Sequence, residues 1–189
     1  MLWLVRHGQT EANAAGLLLG RSDPPLSALG REQATALATR IPADARVVTS
    51  PLLRARETAA ACGRPTQVDD RWIELDYGTL DGHALTDVGP ERWARWRADP
   101  TYVPAGGESL ADLGARVRLA CATLTEEVRE RDVVVVSHVS PIKAAIAWAL
   151  GAGDELVWRL FVEVASIARV AFDANGPSLR SFNEHARPG

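Results

Sequence analysis

A run of four consecutive valines, Val133–Val136, restricts the fold of this chain more than any other feature of its sequence. An apolar run of this length is typical of a strand buried on both faces, as in the centre of a parallel sheet. The segment before it is helical in pattern: Ser109 and Asp112 resemble a capping box. One helical face then collects the apolar residues Leu110, Leu113, Val117, Leu124 and Val128. A buried strand that follows an amphipathic helix predicts an α/β architecture.

The same alternation of strands and helices recurs along the chain. Residues 2–5 and 46–49 are short apolar strands, and 164–172 with 178–183 form a closing strand pair around the turn Asn175-Gly176-Pro177. Three further helices are predicted. They begin at Ser27 with the apolar face Ala34, Leu37, Ala38 and Ile41, at Pro51 with an end near Ala61, and at Ser140-Pro141 with an end at Leu150. Residues 66–80 are predicted as short extended pieces.

These patterns predict a three-layer α/β/α sandwich with a mostly parallel central sheet. With 189 residues, of which 47% are hydrophobic and 24% charged, the chain fits one domain over residues 1–189. Within it, the least regular part, at about 81–107, is predicted to be a small cap or variable segment.

Composition also limits the functional class. A net charge of −3 argues against nucleic-acid binding, and no apolar run approaches the roughly 20 residues of a membrane span. Because no charged segment precedes the first apolar strand, we expect no cleaved signal peptide and a cytoplasmic location. Cys62 and Cys121 lie in Ala-rich helical contexts, which favours small core residues over a disulfide. Lys143 is the only lysine, and the sequence alone assigns it no role.

The first strand ends in Arg6, His7 and Gly8, a combination suited to phosphoryl chemistry. A fixed cation beside His7 lowers the pKa of the imidazole and favours its neutral, nucleophilic form. The guanidinium of Arg6 offers a planar set of donors to a phosphoryl group, and backbone N–H groups near Gly8 can add further anion contacts. An idle, solvated Arg-His pair at a strand end is equally compatible with these residues.

Two other predicted strands end in polar residues that could join this site. Arg54 lies in the first turn of the helix that follows the second strand, and His138 follows the valine strand directly. Ligands of open parallel sheets bind beyond the carboxyl ends of the strands, where helix N-termini also favour anions. A metal site between the two histidines is disfavoured, since no carboxylate or cysteine lies at ligand spacing near either. His138 could instead be a core histidine with its hydrogen bonds satisfied.

Taken in order, several short motifs resemble the histidine phosphatase superfamily, the phosphoglycerate mutase-like branch 1. The matching blocks span most of the chain and are Arg6-His7-Gly8-Gln9-Thr10 with Asn13, Gly20-Arg21-Ser22-Asp23 with Leu26-Ser27 and Gly30, Ser50-Pro51-Leu52-Leu53-Arg54-Ala55 with Thr58-Ala59, Ile73-Glu74-Leu75-Asp76-Tyr77-Gly78 with Asp81-Gly82, Gly107-Glu108-Ser109, and Val136-Ser137-His138. Each block is weak alone, whereas the ordered set is specific.

The resemblance implies a role for each matching residue. His7 would be the nucleophile, Glu74 the general acid and then the base, and Arg6, Arg54 and His138 would line the phosphate pocket. The remaining phosphate- or substrate-binding residues would be Gln9, Thr10, Asn13, Arg21, Ser22 and Val139. Neither a metal nor a cofactor is expected. The residues alone leave Asp69, Asp70 and Asp76 open as alternatives to the acid, and Arg56 as an alternative to Arg54. In many relatives a glycine stands where this chain has Val139.

The implied function is a metal-independent phosphomonoesterase that hydrolyses small phosphorylated metabolites through a phosphohistidine intermediate. A phosphoglycerate mutase-type phosphoryl transfer and a non-catalytic phosphate-binding module are the alternatives. Only about sixty residues separate Glu74 from His138, and a short cap favours hydrolysis because water can reach the intermediate. The expected partner is a small-molecule phosphate ester, with neither nucleic acid nor membrane, and a homodimer remains open.

Substrate selection is expected in residues 81–107 and near Arg21 and Ser22. Within that segment Trp93, Trp96 and Tyr102 would either form an apolar wall for the substrate or anchor a cap helix to the body. His83 and His185 match no position of the family site and are expected to be exposed.

Overall fold

The computed structural model describes residues 1–185 and has a six-stranded sheet at its centre. The strands are β1 Leu2–Arg6, β2 Arg46–Thr49, β3 Thr66–Val68, β4 Val133–Ser137, β5 Ser166–Asp173 and β6 Gly176–His185. Their order is β3-β2-β4-β1-β5-β6. The pairs among the first four in this order are parallel, whereas β5 is antiparallel to both of its neighbours. The predicted mostly parallel sheet is thereby confirmed.

Helices cover both faces of the sheet. They are α1 Glu11–Ala14, α2 Ala28–Ala38, α3 Leu53–Ala60, α4 Pro90–Ala98, α5 Leu110–Glu130 and α6 Val139–Ala149. Successive side chains of a strand point to opposite faces, and β4 shows the result. Val133 and Val135 pack in one core with α5 and α6, whereas Val134 and Val136 pack in a second core with α2 and α3. Two cores on one sheet make the predicted three-layer α/β/α arrangement.

Helix α5 begins and packs as its sequence pattern predicts. The hydroxyl of Ser109 accepts a hydrogen bond from the Asp112 backbone N–H at 3.0 Å. The Asp112 carboxylate accepts from the Ser109 hydroxyl rather than from the Ser109 N–H, so the capping box is incomplete. All five predicted apolar positions of the helix are buried.

Three predictions of local structure need correction. Helix α3 begins at Leu53 and not at Pro51, because Pro51 and Leu52 form a bend after β2 and Leu52 takes the extended N-cap conformation. Within residues 66–80 only Thr66–Val68 is a strand, and two 3-10 helices occupy 70–72 and 78–80. Residues 81–107 contain the regular nine-residue helix α4. Most residues of α4 are charged or exposed, so its sequence shows no clear apolar face. Pro90 at the first turn does favour the start of a helix.

The remaining elements agree with the sequence analysis. Strands β5 and β6 pair as the predicted closing hairpin, and both cysteines are free, with Cys121 buried and Cys62 half-buried. Within residues 1–185, every helix is too short or too polar to cross a membrane.

Candidate functional site

The carboxyl ends of β1, β2 and β4 meet at one edge of the sheet and bring two histidines together. The His7 N–H donates to the Ser137 carbonyl at 3.0 Å, and the Ser50 N–H donates to the Val136 carbonyl at 3.0 Å, so these strand ends stay in register. The rings of His7 and His138 are both buried, and their centroids lie 5.0 Å apart. The structure therefore places both histidines in one site.

The surroundings of His7 fix its protonation state. Burial is the main cause that holds the pKa of His7 well below its ordinary value, and the charges of Arg54 and Arg6 lower it further. The lowered pKa agrees with the prediction from the sequence, although burial lowers it more than the neighbouring cations do. His7 Nδ1 lies 2.7 Å from the Gly8 carbonyl oxygen. A carbonyl can only accept, so Nδ1 carries the proton and Nε2 keeps its lone pair.

The backbone that follows His7 is held by close contacts with α2 and α3. The Gly8 N–H donates to the Thr58 hydroxyl at 3.1 Å, and that hydroxyl donates to the Arg54 carbonyl at 2.7 Å. A Cβ on Gly8 would lie 2.3 Å from the Gly30 carbonyl oxygen, and one on Gly30 would lie 2.0 Å from the Gln9 carbonyl oxygen. Both positions need glycine because two backbones touch there.

Arg54 is fully buried and ties the loop at residues 20–22 to the site. Its two terminal nitrogens donate to the Ser22 carbonyl at 2.7 Å and the Gly20 carbonyl at 2.8 Å. The carboxylate of Asp81 holds the other side of the same loop, accepting from the N–H groups of Gly20 at 2.9 Å and Ser22 at 2.7 Å. The loop is therefore clamped between a cation and an anion.

Three buried nitrogens around His7 make no hydrogen bond among residues 1–185. They are Nε of Arg6, Nε of Arg54 and Nδ1 of His138. Arg6 also donates to the Val162 carbonyl at 2.7 Å, and burial lowers its pKa to about 10. Buried polar groups without partners are costly, and guanidinium groups are suited to oxyanions. The cluster is thus fitted to bind an anion with several oxygens.

Glu74 supplies the site with a buried carboxylate. Its Oε1 accepts from the Leu75 N–H at 2.7 Å and from the Ser140 N–H at 3.2 Å, while Oε2 lies 3.4 Å from the latter. Arg116 supports the segment from outside: it binds the Glu74 carbonyl at 3.2 Å and forms two hydrogen bonds with the Glu108 carboxylate. Backbone N–H groups therefore hold the Glu74 carboxylate mainly through Oε1, and Oε2 makes only the longer contact with the Ser140 N–H.

A cavity of about 320 Å³ opens over Arg6, His7 and Glu74, whereas Arg54 and His138 lie outside its lining. Its polar lining consists of Arg6, His7, Asn13, Glu74, Tyr77, Ser140 and Lys143. Its apolar lining consists of Leu17, Leu18, Leu19, Leu75, Leu85, Trp93, Trp96, Leu110, Val139, Val157, Trp158, Phe161 and Val162. At the rim, Phe161 is 69% exposed and Leu85 is 48% exposed. A charged floor and an apolar wall are typical of small-molecule sites.

The tryptophans of α4 both anchor that helix and line the cavity. Trp96 is buried and lies near Trp158, with ring centroids 6.2 Å apart, while Trp93 stacks on Trp96 at 5.7 Å. Tyr102 packs edge-on against Trp96, with ring centroids 6.1 Å apart. Trp93 and Trp96 therefore both anchor α4 and line the cavity, whereas Tyr102 lies outside the lining; a contact of either tryptophan with the substrate stays a prediction.

The other predicted site residues occupy different places. Asn13 and Val139 line the cavity, but the Asn13 side-chain oxygen is engaged by the Thr10 N–H and hydroxyl in a capping box of α1. Gln9 accepts from the Ser27 hydroxyl outside the cavity. Arg21 pairs with Glu108 at 3.3 Å, and Ser22 contributes backbone groups to the clamped loop. These last residues lie beside the cavity and not in its lining.

The remaining histidines and the acids of the motif region also have defined positions. His83 and His185 are exposed, as expected. Asp69 pairs with Arg71, and Asp76 accepts from the Gly78 N–H at 2.8 Å. Neither aspartate is part of the cavity lining. Within residues 1–185, no group of three or more His, Cys, Asp or Glu side chains is arranged to hold a metal ion.

Several residues of the site were given no role from the sequence, although Ser50 and Tyr77 stand inside motifs that match the family. Tyr77, Trp158 and Phe161 line the cavity, and Ser50 contacts the His138 ring, with Oγ 2.7 Å from Nε2. Lys143 could have been placed from helical spacing, since it lies four residues after Val139 and shares its face of α6. The others come from irregular segments, where periodicity gives no direction to a side chain.

The chain shows sequence similarity to known proteins along almost its whole length. The model of the histidine phosphatase superfamily (branch 1) matches residues 2–185. A bifunctional protein of Mycobacterium tuberculosis is 37% identical over 187 residues, covering 94% of this chain and 51% of that protein. Phosphoserine phosphatase 1 of Hydrogenobacter thermophilus is 37% identical over 179 residues, covering 87% and 83%. The chain spans about half the length of the first curated relatives it matches.

Solved structures show the same similarity. A mycobacterial glucosyl-3-phosphoglycerate phosphatase in complex with VO3 superposes with a TM-score of 0.86 at 32% identity, covering 96% of this chain and 98% of that one. The family match, the relatives and the shared fold confirm the resemblance seen in the motifs. The chain belongs to branch 1 of the histidine phosphatase superfamily.

Proposed function

We propose that this protein is a phosphatase that hydrolyses small phosphomonoesters through a phosphohistidine on His7. The observation that carries the proposal is the neutral imidazole of His7, whose Nδ1 donates to the Gly8 carbonyl and whose Nε2 is therefore a nucleophile. Nitrogens of Arg6, Arg54 and His138 that have no hydrogen-bond partner among residues 1–185 can stabilise the charge on the equatorial phosphoryl oxygens. Relatives named as phosphatases support the same activity.

In the first step, His7 Nε2 attacks phosphorus and the bond to the leaving oxygen breaks. Protonated Glu74 gives its proton to that oxygen, so the alcohol leaves neutral and the carboxylate remains. In the second step the carboxylate takes a proton from water, and the oxygen of that water attacks the phosphohistidine, which releases phosphate and restores both groups. Dividing the reaction between a nucleophile and an acid-base residue makes each barrier smaller.

The architecture around the cavity favours hydrolysis over transfer to a second substrate. Residues 81–107 act in this proposal as a cap whose rim stays open at Leu85, which lets water reach the intermediate. Arg54 does not line the cavity and would act from behind the phosphoryl group, where it also fixes the loop at residues 20–22.

The test is a comparison of His7→Ala with His83→Ala, a matched substitution of an exposed histidine. With 4-nitrophenyl phosphate and no added metal, we expect His7→Ala to lose about 10³-fold or more in kcat, and His83→Ala to match the parent. Added EDTA should leave the parental rate unchanged. Brief incubation with radiolabelled substrate and an alkaline quench should trap label on the parent but not on His7→Ala. Near-parental turnover by His7→Ala would refute the nucleophile assignment.

A further inference from the structure

Lys143, the only lysine of the chain, lines the cavity beside the proposed catalytic groups. It lies on α6, one turn after Val139 and Ser140, which line the same cavity. The Ser140 N–H holds the Glu74 carboxylate, and the rise from Ser140 to Lys143 is about 4.5 Å along the helix. A positive charge thus lies close to the acid, and it is near enough to Arg6 for the two cations to repel each other.

Among residues 1–185, the Lys143 ammonium group makes no hydrogen bond and no ion pair. The side chain is half-buried, and burial lowers its pKa, an effect that the nearby charge of Glu74 partly offsets. Its Nζ is not among the buried polar atoms that lack a partner, so the ammonium group keeps contact with solvent while its stem packs in the lining, and an anionic ligand in the cavity can reach it. Most residues of the lining are apolar, and Glu74 is the one acidic side chain among them.

The kind of anion follows from the number of donors. A phosphate group with two charges is usually met by several donors, as the arginine cluster provides around His7. Lys143 supplies one compact charge with three N–H groups, which suits a single carboxylate. Carbon atoms between a phosphoryl group and such a carboxylate would lie against the apolar wall.

We propose that Lys143 determines substrate specificity by binding a carboxylate on the leaving group of the phosphomonoester. The substrate class is thus a phosphorylated carboxylic acid, with the phosphoryl group on His7 and its carbon skeleton against the apolar wall. This inference rests on the proposed function for its orientation of the substrate. The alternative is that the Lys143 stem merely packs on the wall while its ammonium group reaches water.

The test compares phenyl phosphate with its 2-, 3- and 4-carboxyl derivatives on four proteins. These are the parent, Lys143→Met, which removes the charge at similar length, Lys143→Arg, which keeps it, and Arg129→Met, which removes an exposed charge on α5. In the parent, kcat/KM for the best carboxyl isomer should exceed that for phenyl phosphate by about tenfold to a hundredfold, as expected for a charge-assisted contact. That ratio should approach one in Lys143→Met and persist in Lys143→Arg and Arg129→Met.

Binding without turnover gives an independent measurement. Trp93, Trp96 and Trp158 line the cavity, so their fluorescence should report ligand binding to a His7→Ala background. The best carboxyl isomer should bind more tightly than phenyl phosphate there, and adding Lys143→Met should remove the difference. A ratio near one for all isomers in the parent, or a preference that survives Lys143→Met, overturns the assignment. If nothing is hydrolysed but the binding preference depends on Lys143, the proposed function fails and the carboxylate site stands.

Discussion

Replacing Glu74 with glutamine tests the acid-base role most directly, because the structure predicts that the fold tolerates it. Oε1 accepts both of the shorter hydrogen bonds, from the N–H groups of Leu75 and Ser140. The glutamine oxygen can take that position and keep both, while its amide nitrogen occupies the less engaged Oε2 position. Two contacts then change from charged to neutral acceptors, which costs about 1–3 kcal/mol of unfolding free energy. Urea denaturation measures this loss.

The kinetic effect of Glu74→Gln should depend on the leaving group. An alkoxide is a poor leaving group unless protonated, so kcat/KM for an alkyl phosphate should fall about 10²–10⁴-fold. A 4-nitrophenolate leaves with little help, so its loss in the first step should be much smaller. Because the same carboxylate activates water, labelled phosphohistidine should accumulate in Glu74→Gln with the aryl substrate.

Asp76→Asn is the matched control, since Asp76 lies two residues away, accepts from the Gly78 N–H and does not line the cavity. It should keep the parental ratio between alkyl and aryl substrates. Equal losses on both substrates in Glu74→Gln, with no accumulated phosphoenzyme, would refute the acid-base assignment. A selective loss of alkyl turnover in Asp76→Asn would move the role to that residue.

Three further predictions follow from the burial and contacts of the site. Of the two arginine charges that lower the pKa of His7, that of Arg54 has the larger effect, and replacing Arg54 with methionine removes it. That pKa should rise, so the acidic limb of the kcat/KM profile should move to higher pH, and an unmoved limb would contradict the electrostatic account. The pKa of buried His7 and of buried His138 lies well below the ordinary 6.5, so the unfolded chain binds more protons below about pH 6.5. Stability to urea should therefore decline as pH falls through that window, by up to about 1.4 kcal/mol per pH unit for each histidine, and a smaller decline is expected in His7→Asn. Gly30→Ala would place a Cβ 2.0 Å from the Gln9 carbonyl oxygen, so unfolding free energy should drop by about 1–3 kcal/mol and kcat should fall as the loop after His7 shifts; unchanged values of both would show that the loop is free to move.

Much of the fold could be predicted because its central elements have periodic sequences. Val133–Val136 is buried on both faces as its composition indicates, and α5 packs through the predicted face. Helix α4 escaped detection because only Trp96 of its nine residues is buried, so its pattern lacks an apolar stripe. The start of α3 was misplaced by two residues because Pro51 fits a bend as well as a first helical turn.

For the site, the order of strands and helices located the residues at their ends, whereas the loop residue Glu74 was identified only through the resemblance of its motif, and other loop residues were not located. The positions of His7, Arg54 and His138 follow from the ends of predicted strands. By contrast, the engagement of Arg21 with Glu108 depends on a contact between residues 87 positions apart. Trp158 lies in a short 3-10 helix, Asp154–Arg159, and Phe161 follows it, and so short an element gives no apolar repeat that indicates which side chains face the cavity.

Most of the apolar wall of the cavity comes from three separate stretches, residues 17–19, 85–96 and 157–162, none of which contains His7, Glu74 or His138, and Leu75, Leu110 and Val139 complete it. Its outermost members, Leu85 and Phe161, are largely in contact with solvent and make few demands on the core. Substitutions there could accumulate during evolution, or be selected in a library, without disturbing the histidine pair. Selectivity and chemistry can therefore change at different rates in this scaffold, which suits it to the acquisition of new substrates by gene duplication and drift at the rim.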